Sequence, residues 1–160
     1  VLQVVRKILK KRGKRLVSLA IFGSSVYNPM KAEDIDLLII VDLVKDVFEK
    51  SNLEMELSKT LKKVMPKTSF DVVIFDIGSF KENLEPGTIA SGLIYGYKIL
   101  YDELGLEKLL VPLIEKIAHT ETEYVVQKNG RRINLSAFSR VKLRLLHGKS
   151  DHRNEPALSR

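Results

Sequence analysis

Residues 22–42 read FGSSVYNPMKAEDIDLLIIVD. Two apolar runs meet here across a small polar turn, and the second run opens on a pair of carboxylates. The run that leads into the turn, LVSLAIF at residues 16–22, is short, rich in apolar residues and stopped by Gly23, which predicts a buried strand. IDLLIIVD at residues 35–42 is a nearly continuous Leu and Ile run, which predicts a strand covered on both faces. Successive side chains of a strand point to opposite faces, so Asp34 and Asp36 project together while Ile35 turns into the core. Their α-carbons stand about 7 Å apart at a rise of about 3.3 Å per residue. Like charges held that close to a low-dielectric core repel, and one of them protonates unless a cation lies between. Mg²⁺ suits such a pair, because it takes hard oxygen ligands and keeps part of its water shell.

The turn complements the carboxylates. A glycine at position 23 lets a phosphate approach the backbone, and exposed N–H groups together with the Ser24 hydroxyl donate hydrogen bonds to it. Donors for phosphate and ligands for metal are thus expected at one end of one sheet.

Outward from this stretch, VLQVVRKILKKRGKR sets Val1, Val4, Val5 and Ile8 on one side of an amphipathic helix that stops near Gly13. From Val44 to Met65 the apolar positions Val47, Phe48, Leu53, Leu57, Leu61 and Val64 recur at helical spacing, with a break expected near Ser51-Asn52 and an end at Pro66. SFDVVIFD at residues 69–76 is a third strand. A helical or mixed piece follows around Ile89 to Tyr95, then a short strand YKILYD and a helix LEKLLVPLIEKIAH that must tolerate Pro112 or start near it. In the tail, YVVQKNGRRINLS alternates around Asn129-Gly130, a dipeptide suited to a type I′ hairpin. Ser136 is the expected cap of a last helix, and the residues from Gly148 onward are expected to be disordered. The pattern implies an α/β (α+β) chain, with one domain over residues 1–110 and a C-terminal helix, hairpin and basic extension over 111–160.

The 160 residues suffice to bury roughly 70% of the unfolded surface, as one ordinary domain with an extension would. No apolar run approaches the ~20 residues of a membrane-spanning helix, and the first residues lack the form of a signal peptide, so the expected location is cytoplasmic, away from membranes. Without cysteine there are no disulfides and no thiolate metal sites. The net charge of +7 is unevenly spread. Residues 1–15 and 128–160 hold sixteen cations against two acids, leaving eleven cations and eighteen acids between them. A basic rim around an acidic centre fits a protein that handles polyanions with metal ions; terminal charge runs also serve simply as solvated faces.

An apolar strand, Gly23-Ser24, nine residues, then Asp34-Ile35-Asp36 and a second apolar strand resemble the signature of the DNA polymerase β-type nucleotidyltransferase superfamily, in particular its minimal members. The resemblance covers roughly residues 4–102. It implies a nucleotidyltransferase fold, a mixed sheet with helices mostly on one face followed by a basic C-terminal hairpin and helix, with Gly23 and Ser24 on the triphosphate of an NTP, ATP being the first candidate. Asp34 and Asp36 would bind metal, with two Mg²⁺ ions present once nucleotide is bound. The family's third carboxylate falls on Asp71, which opens the strand Val72-Val73-Ile74, completes the metal site and helps activate the acceptor hydroxyl. The implied reaction is Mg²⁺-dependent transfer of a nucleoside monophosphate to an acceptor that is a protein, a small molecule or a nucleic acid. Minimal members carry an arginine shortly after the Gly-Ser, whereas this loop reads Ser25-Val26-Tyr27-Asn28-Pro29 and has no cation before Lys31. Lys31, or a residue from another segment, is therefore the candidate to neutralise the triphosphate.

Two other readings use the same residues. Small members pair with a helical protein partner as the antitoxin of a toxin and antitoxin system, so the chain could be a weak or inactive module that binds nucleotide, nucleic acid or a partner. A two-metal hydrolase would use similar carboxylates but gives Gly-Ser no role. Among the remaining polar residues, Ser25 and Asn28 read mainly as turn formers. Asp42 and Asp76 read as caps at strand ends, and Tyr27, Tyr95, Tyr97 and Tyr101 as core aromatics before base-stacking platforms. His119, His147 and His152 are too scattered for a metal site. Arg131, Arg132, Arg140, Lys142 and Arg144 could track phosphates, though no nucleic-acid motif accompanies them.

Overall fold

The computed structural model describes residues 1–30, 32–120, 123–126 and 131–151, and gives only the backbone for 123–126, 131–133 and 149–151. The chain forms two compact units, Val1–Leu109 and Leu110–Arg160.

The first unit is built on a four-stranded sheet of order β3-β2-β1-β4. β1 (Leu16–Phe22) runs antiparallel to both β2 (Asp34–Val41) and β4 (Tyr97–Asp102), while β3 (Ser69–Asp76) runs parallel to β2. The two long helices of this unit, α1 (Leu2–Lys11) and α3 (Val47–Val64), cover one face. There Val5, Ile8 and Leu9 of α1 and Leu53, Leu57 and Leu61 of α3 pack with Leu19, Leu37, Ile39, Phe70 and Ile74 of the strands. Each such buried aliphatic side chain contributes about 1.5–3 kcal/mol relative to exposure. The other strand residues, among them Ala20, Phe22, Leu38 and Ile40, face away, and Leu37 to Val41 are at most 1% exposed, so β2 is covered on both faces. On that second face α5 (Ile89–Tyr95) lies against Phe22, whose ring stands 3.8 Å from a Cβ built on Gly92.

Several local expectations are corrected. α3 is continuous, without a break at Ser51-Asn52, because both residues lie on its exposed side and cost only a few tenths of a kcal/mol there. It begins only at Val47, after Asp46, whose side chain accepts the Glu49 N–H at 2.8 Å. Val47, Phe48 and Val64, counted as core by spacing, are 75%, 81% and 58% exposed; the buried stripe is Leu53, Leu57 and Leu61 alone. A short helix, α4 (Ile77–Glu82), was not anticipated; Asp76 starts it by accepting the Ser79 N–H at 2.8 Å. α1 does end before Gly13, which takes φ 65°, as a left-handed stop requires.

α6 (Leu106–Ala118) carries Pro112 inside it and leads into the second unit. That unit pairs β5 (Glu123–Val126) with β6 (Arg131–Asn134) antiparallel, and the Asn129-Gly130 turn lies outside the described residues. The final helix α7 spans Leu135–Asp151. Its first turn is capped by Asn134, whose Oδ1 accepts the Ala137 N–H at 2.9 Å, and not by Ser136, which is already helical and donates its hydroxyl to the Thr120 carbonyl. The helix also runs through Gly148 to Asp151, where disorder was expected, and the rest of that expectation, residues 152–160, lies outside the described residues. His119 and His147 are exposed. Among the described residues no helix is long and apolar enough to cross a membrane.

Candidate active site

Strand pairing alone assembles the centre. In the antiparallel β1–β2 pair Phe22 sits opposite Asp36, and in the parallel β2–β3 pair Asp36 sits opposite Asp71. Residues in register share a face, so Asp36 and Asp71 stand side by side, with Asp34 one step along β2 opposite Ser69. All three carboxylates occupy the same end of the same face. The end is fixed by chain direction: β2 and β3 both start here, where β1 finishes.

β1 finishes on Gly23, which takes φ 72° and ψ −148°, a conformation that L side chains rarely adopt. Its N–H is not free for a ligand, since it donates to the Gly96 carbonyl at 3.0 Å and so ties the turn to the start of β4. Gly23 instead accepts, its carbonyl taking the N–H groups of Val26 and Tyr27 in the one-turn helix α2 (Ser24–Tyr27). The N–H groups of Ser24 and Ser25 and the exposed Ser24 hydroxyl have no partner among the described residues. Ser25 donates its hydroxyl to the Phe22 carbonyl at 3.3 Å and reads as a turn former, as expected.

Asp36 is half-buried, whereas Asp71 is exposed. Burial first, then the charges of Asp34 and Asp71, push the Asp36 carboxyl up from 3.8 to about 6. The repulsion expected between strand-start aspartates is therefore present, and it is sharpened by the third carboxylate on β3. Among the described residues no three carboxylate or imidazole side chains converge into a preformed metal cage. The donor set nonetheless suits a hard divalent cation, being all oxygen, and a proton already competes for the place such a cation would relieve.

A cavity of about 240 Å³ opens beside Asp34, lined also by Ser25, Pro29, Glu33, Lys67 and Thr68 among others. Lys67 is its one cation among the described residues; Lys31, the candidate from sequence, lies outside them. Lys67 was missed because it sits 31 positions beyond Asp36 and reaches the site only through the parallel pairing that sets Ser69 against Asp34. The available signal was its place just ahead of the strand that carries Asp71.

The other candidates sort by position. Asp42 and Asp76 lie at the opposite end of the sheet and act as caps, Asp42 Oδ1 accepting the N–H groups of Arg15 and Leu43. Tyr27 is 44% exposed, its ring centroid 4.5 Å from that of Tyr95, so the pair borders the turn instead of filling the core. Tyr97 donates its hydroxyl to Glu107 Oε1 at 2.8 Å, and burial together with that carboxylate raises its pKa. Tyr101 lies beneath the Arg6 guanidinium, 4.3 Å from the ring centroid. In the second unit Arg140 donates to the Ala118 carbonyl at 3.0 Å, closing the end of α6, which gives it a structural task.

Comparison with known proteins gives the family of the fold. The nucleotidyltransferase domain family matches residues 2–99. No curated protein matches the chain significantly. Among solved structures, a mutant of the toxin–antitoxin MntA–HpeT aligns with TM-score 0.50 and 19% identity, over 74% of this chain and 87% of that one. A tri-AMPylated Shewanella oneidensis HEPN toxin in complex with MNT antitoxin aligns with TM-score 0.45 and 18% identity, over 74% and 81%. At 19% identity the first of these likenesses is one of fold alone.

Proposed function

The chain belongs to the nucleotidyltransferase domain family, and from that premise we propose that it transfers a nucleoside monophosphate from an NTP, with ATP the first candidate, to an acceptor hydroxyl. The observation that carries this reading is the register of Asp36 with Asp71 next to the Gly23 turn. It brings three carboxylates and the N–H groups of Ser24 and Ser25 to one sheet end, which supports a site for metal and phosphate. The acceptor oxygen attacks the α-phosphorus, a new P–O bond forms, the bond to the bridging oxygen breaks, and pyrophosphate leaves with that electron pair. Asp71, the most exposed of the three carboxylates, is placed to take the proton from the acceptor hydroxyl. Ser24 and Ser25 N–H groups and the Ser24 hydroxyl hold phosphate oxygens, and Lys67 supplies the cation that the loop after Gly23-Ser24 lacks. Asp34, Asp36 and Asp71 would hold Mg²⁺, which when bound neutralises phosphate charge and the developing charge on the leaving oxygen. The protein's part is positioning and charge stabilisation.

A second reading takes its support from the MntA–HpeT likeness: the chain would be the nucleotidyltransferase half of a toxin–antitoxin pair and would bind a helical protein partner, with or without turnover. Calorimetry separates the two. Binding of a non-hydrolysable ATP analogue that requires Mg²⁺ and is lost in Asp36→Asn supports the enzyme. Metal-independent or absent binding would sink it in favour of a partner-binding module.

A further inference from the structure

One apolar patch of the first unit is left uncovered. Leu43, Val47 and Phe48 stand 59%, 75% and 81% exposed where the chain leaves β2 and enters α3. The apolar residues at Val47 and Phe48 do not serve the core, whose stripe on this helix begins only at Leu53. Beside them a cavity of about 360 Å³ opens at the ends of β2 and β3, where Val41 pairs with Asp76. Its apolar wall is Val44, Val47, Ile74 and Phe75, and the Lys50 ammonium lies 4.6 Å from the Phe75 ring centroid. The three site aspartates lie near the starts of these strands, so this cavity is at the other end of the sheet.

Both signs of charge line the cavity: Lys45 and Lys50 stand with Asp46 and Asp76. Asp46 Oδ1 accepts the Glu49 N–H and Asp76 Oδ1 the Ser79 N–H, each at 2.8 Å, and neither Oδ2 has a hydrogen bond among the described residues. A wholly acidic or wholly basic partner would meet like charge here. The segment beside the cavity carries what the cavity complements, a phenyl ring on Phe48, a cation on Lys45 and a carboxylate on Asp46. An apolar cavity of about 150 Å³ already holds a benzene ring. The larger space here therefore admits a phenyl ring and a neighbouring side chain. Because Val47 lines the cavity and Phe48 is the next residue, knob and hole share one patch.

We propose that this patch pairs two copies of the chain about a two-fold axis, the Phe48 ring of each entering the cavity of the other. A surface that carries both halves of its own complement closes as such a pair and leaves no place for a third copy. The cations of each cavity then face the carboxylates of the opposite copy. An aromatic anchor seated in a pocket supplies most of the association, as buried aromatic side chains do at other interfaces. The two rings bury ~150–250 Å² each, a modest part of the ~1,200–2,000 Å² of a standard interface, so pairing is expected at roughly micromolar concentration. Each copy keeps its own aspartates at the far end of its sheet, so pairing does not depend on the nucleotidyl-transfer reading.

The test is sedimentation equilibrium of the full chain over a series from about 1 to about 100 μM. Wild type is expected to pass from one 18.2 kDa chain to two as concentration rises. Phe48→Glu is expected to raise the dissociation constant roughly thirtyfold or more. Val64→Glu puts the same charge on an exposed apolar residue at the other end of α3 and is expected to leave the constant unchanged. A monomer throughout, equal weakening by both variants, or species that grow beyond two chains would each overturn the pair. The chain has no cysteine, so introduced thiols read the contact directly. Ser79 lines the cavity that Phe48 enters, so oxidising a mixture of Phe48→Cys and Ser79→Cys is expected to join the two variants, whereas neither alone is joined. No crosslink in the mixture, or Phe48→Cys joining to itself as readily, would overturn the seating of the ring in the cavity.

Discussion

A Cβ built on Gly23 would lie 2.5 Å from Oδ2 of Asp36. The Gly23 turn and the central carboxylate are therefore packed against each other, and glycine is favoured twice, for its φ of 72° and for the space the carboxylate fills. Gly23→Ala is expected to lower stability by roughly 1–3 kcal/mol and to displace Asp36. Chemical denaturation measures the first effect. Calorimetry with Mg²⁺ and the ATP analogue should show binding lost as in Asp36→Asn, and unaltered affinity would contradict a shared site.

Asp36→Asn should make the metal-free protein more stable while removing its ligand. The folded carboxyl titrates near 6 against 3.8 ordinarily, so the folded state holds its proton more tightly than the unfolded state does. The resulting destabilisation is absent below about pH 4, grows as pH rises through that window, and is complete above about pH 6. With the group half-exposed, solvent screening reduces the effect to about 1 kcal/mol, or about 3 °C in a chain of this size. Thermal melts at pH 7 and pH 4 check it: the variant gains at the higher pH and little at the lower.

Mg²⁺ affinity should itself depend on pH in the opposite sense. Metal binding requires the Asp36 proton to leave, so affinity is full above about pH 6 and falls about tenfold per unit below it. Mg²⁺ titrations at pH 5 and pH 7 are expected to differ by about tenfold, and a flat profile would remove Asp36 from the ligand set.

The strands of this site were legible because each is an unbroken apolar run bounded by breakers: β1 ends at Gly23, β4 follows Gly96, and β3 starts shortly after Pro66. Asp71 was singled out by the resemblance, at the point where it opens such a run. What the sequence hid is set by pairing and by burial. Lys67 enters the site through the β2–β3 register, which periodicity does not encode. Val47 and Phe48 fit a helical stripe by spacing, yet the sheet reaches only as far as Leu53, Leu57 and Leu61. α4 depends on one Asp76 side-chain bond, a signal no stronger than many non-helical Asp-x-x-Ser sequences carry.

Lys67→Ala should weaken binding of the Mg²⁺-bound ATP analogue about tenfold or more, because a charge-assisted contact to phosphate is worth about 1.5–3 kcal/mol. Lys67→Arg should recover most of it. Equal affinity in wild type and alanine variant, read by calorimetry, would return the task of charge neutralisation to Lys31.

Asp102 offers a contrast at the far end of the sheet. Its Oδ1 accepts the N–H groups of Leu104 at 3.0 Å and Gly105 at 3.1 Å and the hydroxyl of Ser18, while Oδ2 accepts the Leu106 N–H at 2.8 Å. One carboxylate thus starts α6 and satisfies Ser18, which is only 1% exposed. Asp102→Ala leaves that hydroxyl and the turn donors without an acceptor and is expected to cost about 2–4 kcal/mol. Urea denaturation should show a lower midpoint with an unchanged slope. The site aspartates start β2 and β3, whereas Asp102 ends β4, which runs parallel to them by way of β1. Under conditions where the variant is folded, its affinity for Mg²⁺ and the ATP analogue should therefore equal that of wild type. A drop in affinity alongside stability would mean that the two ends of the sheet are coupled, and that the aspartate site is not held by strand register alone.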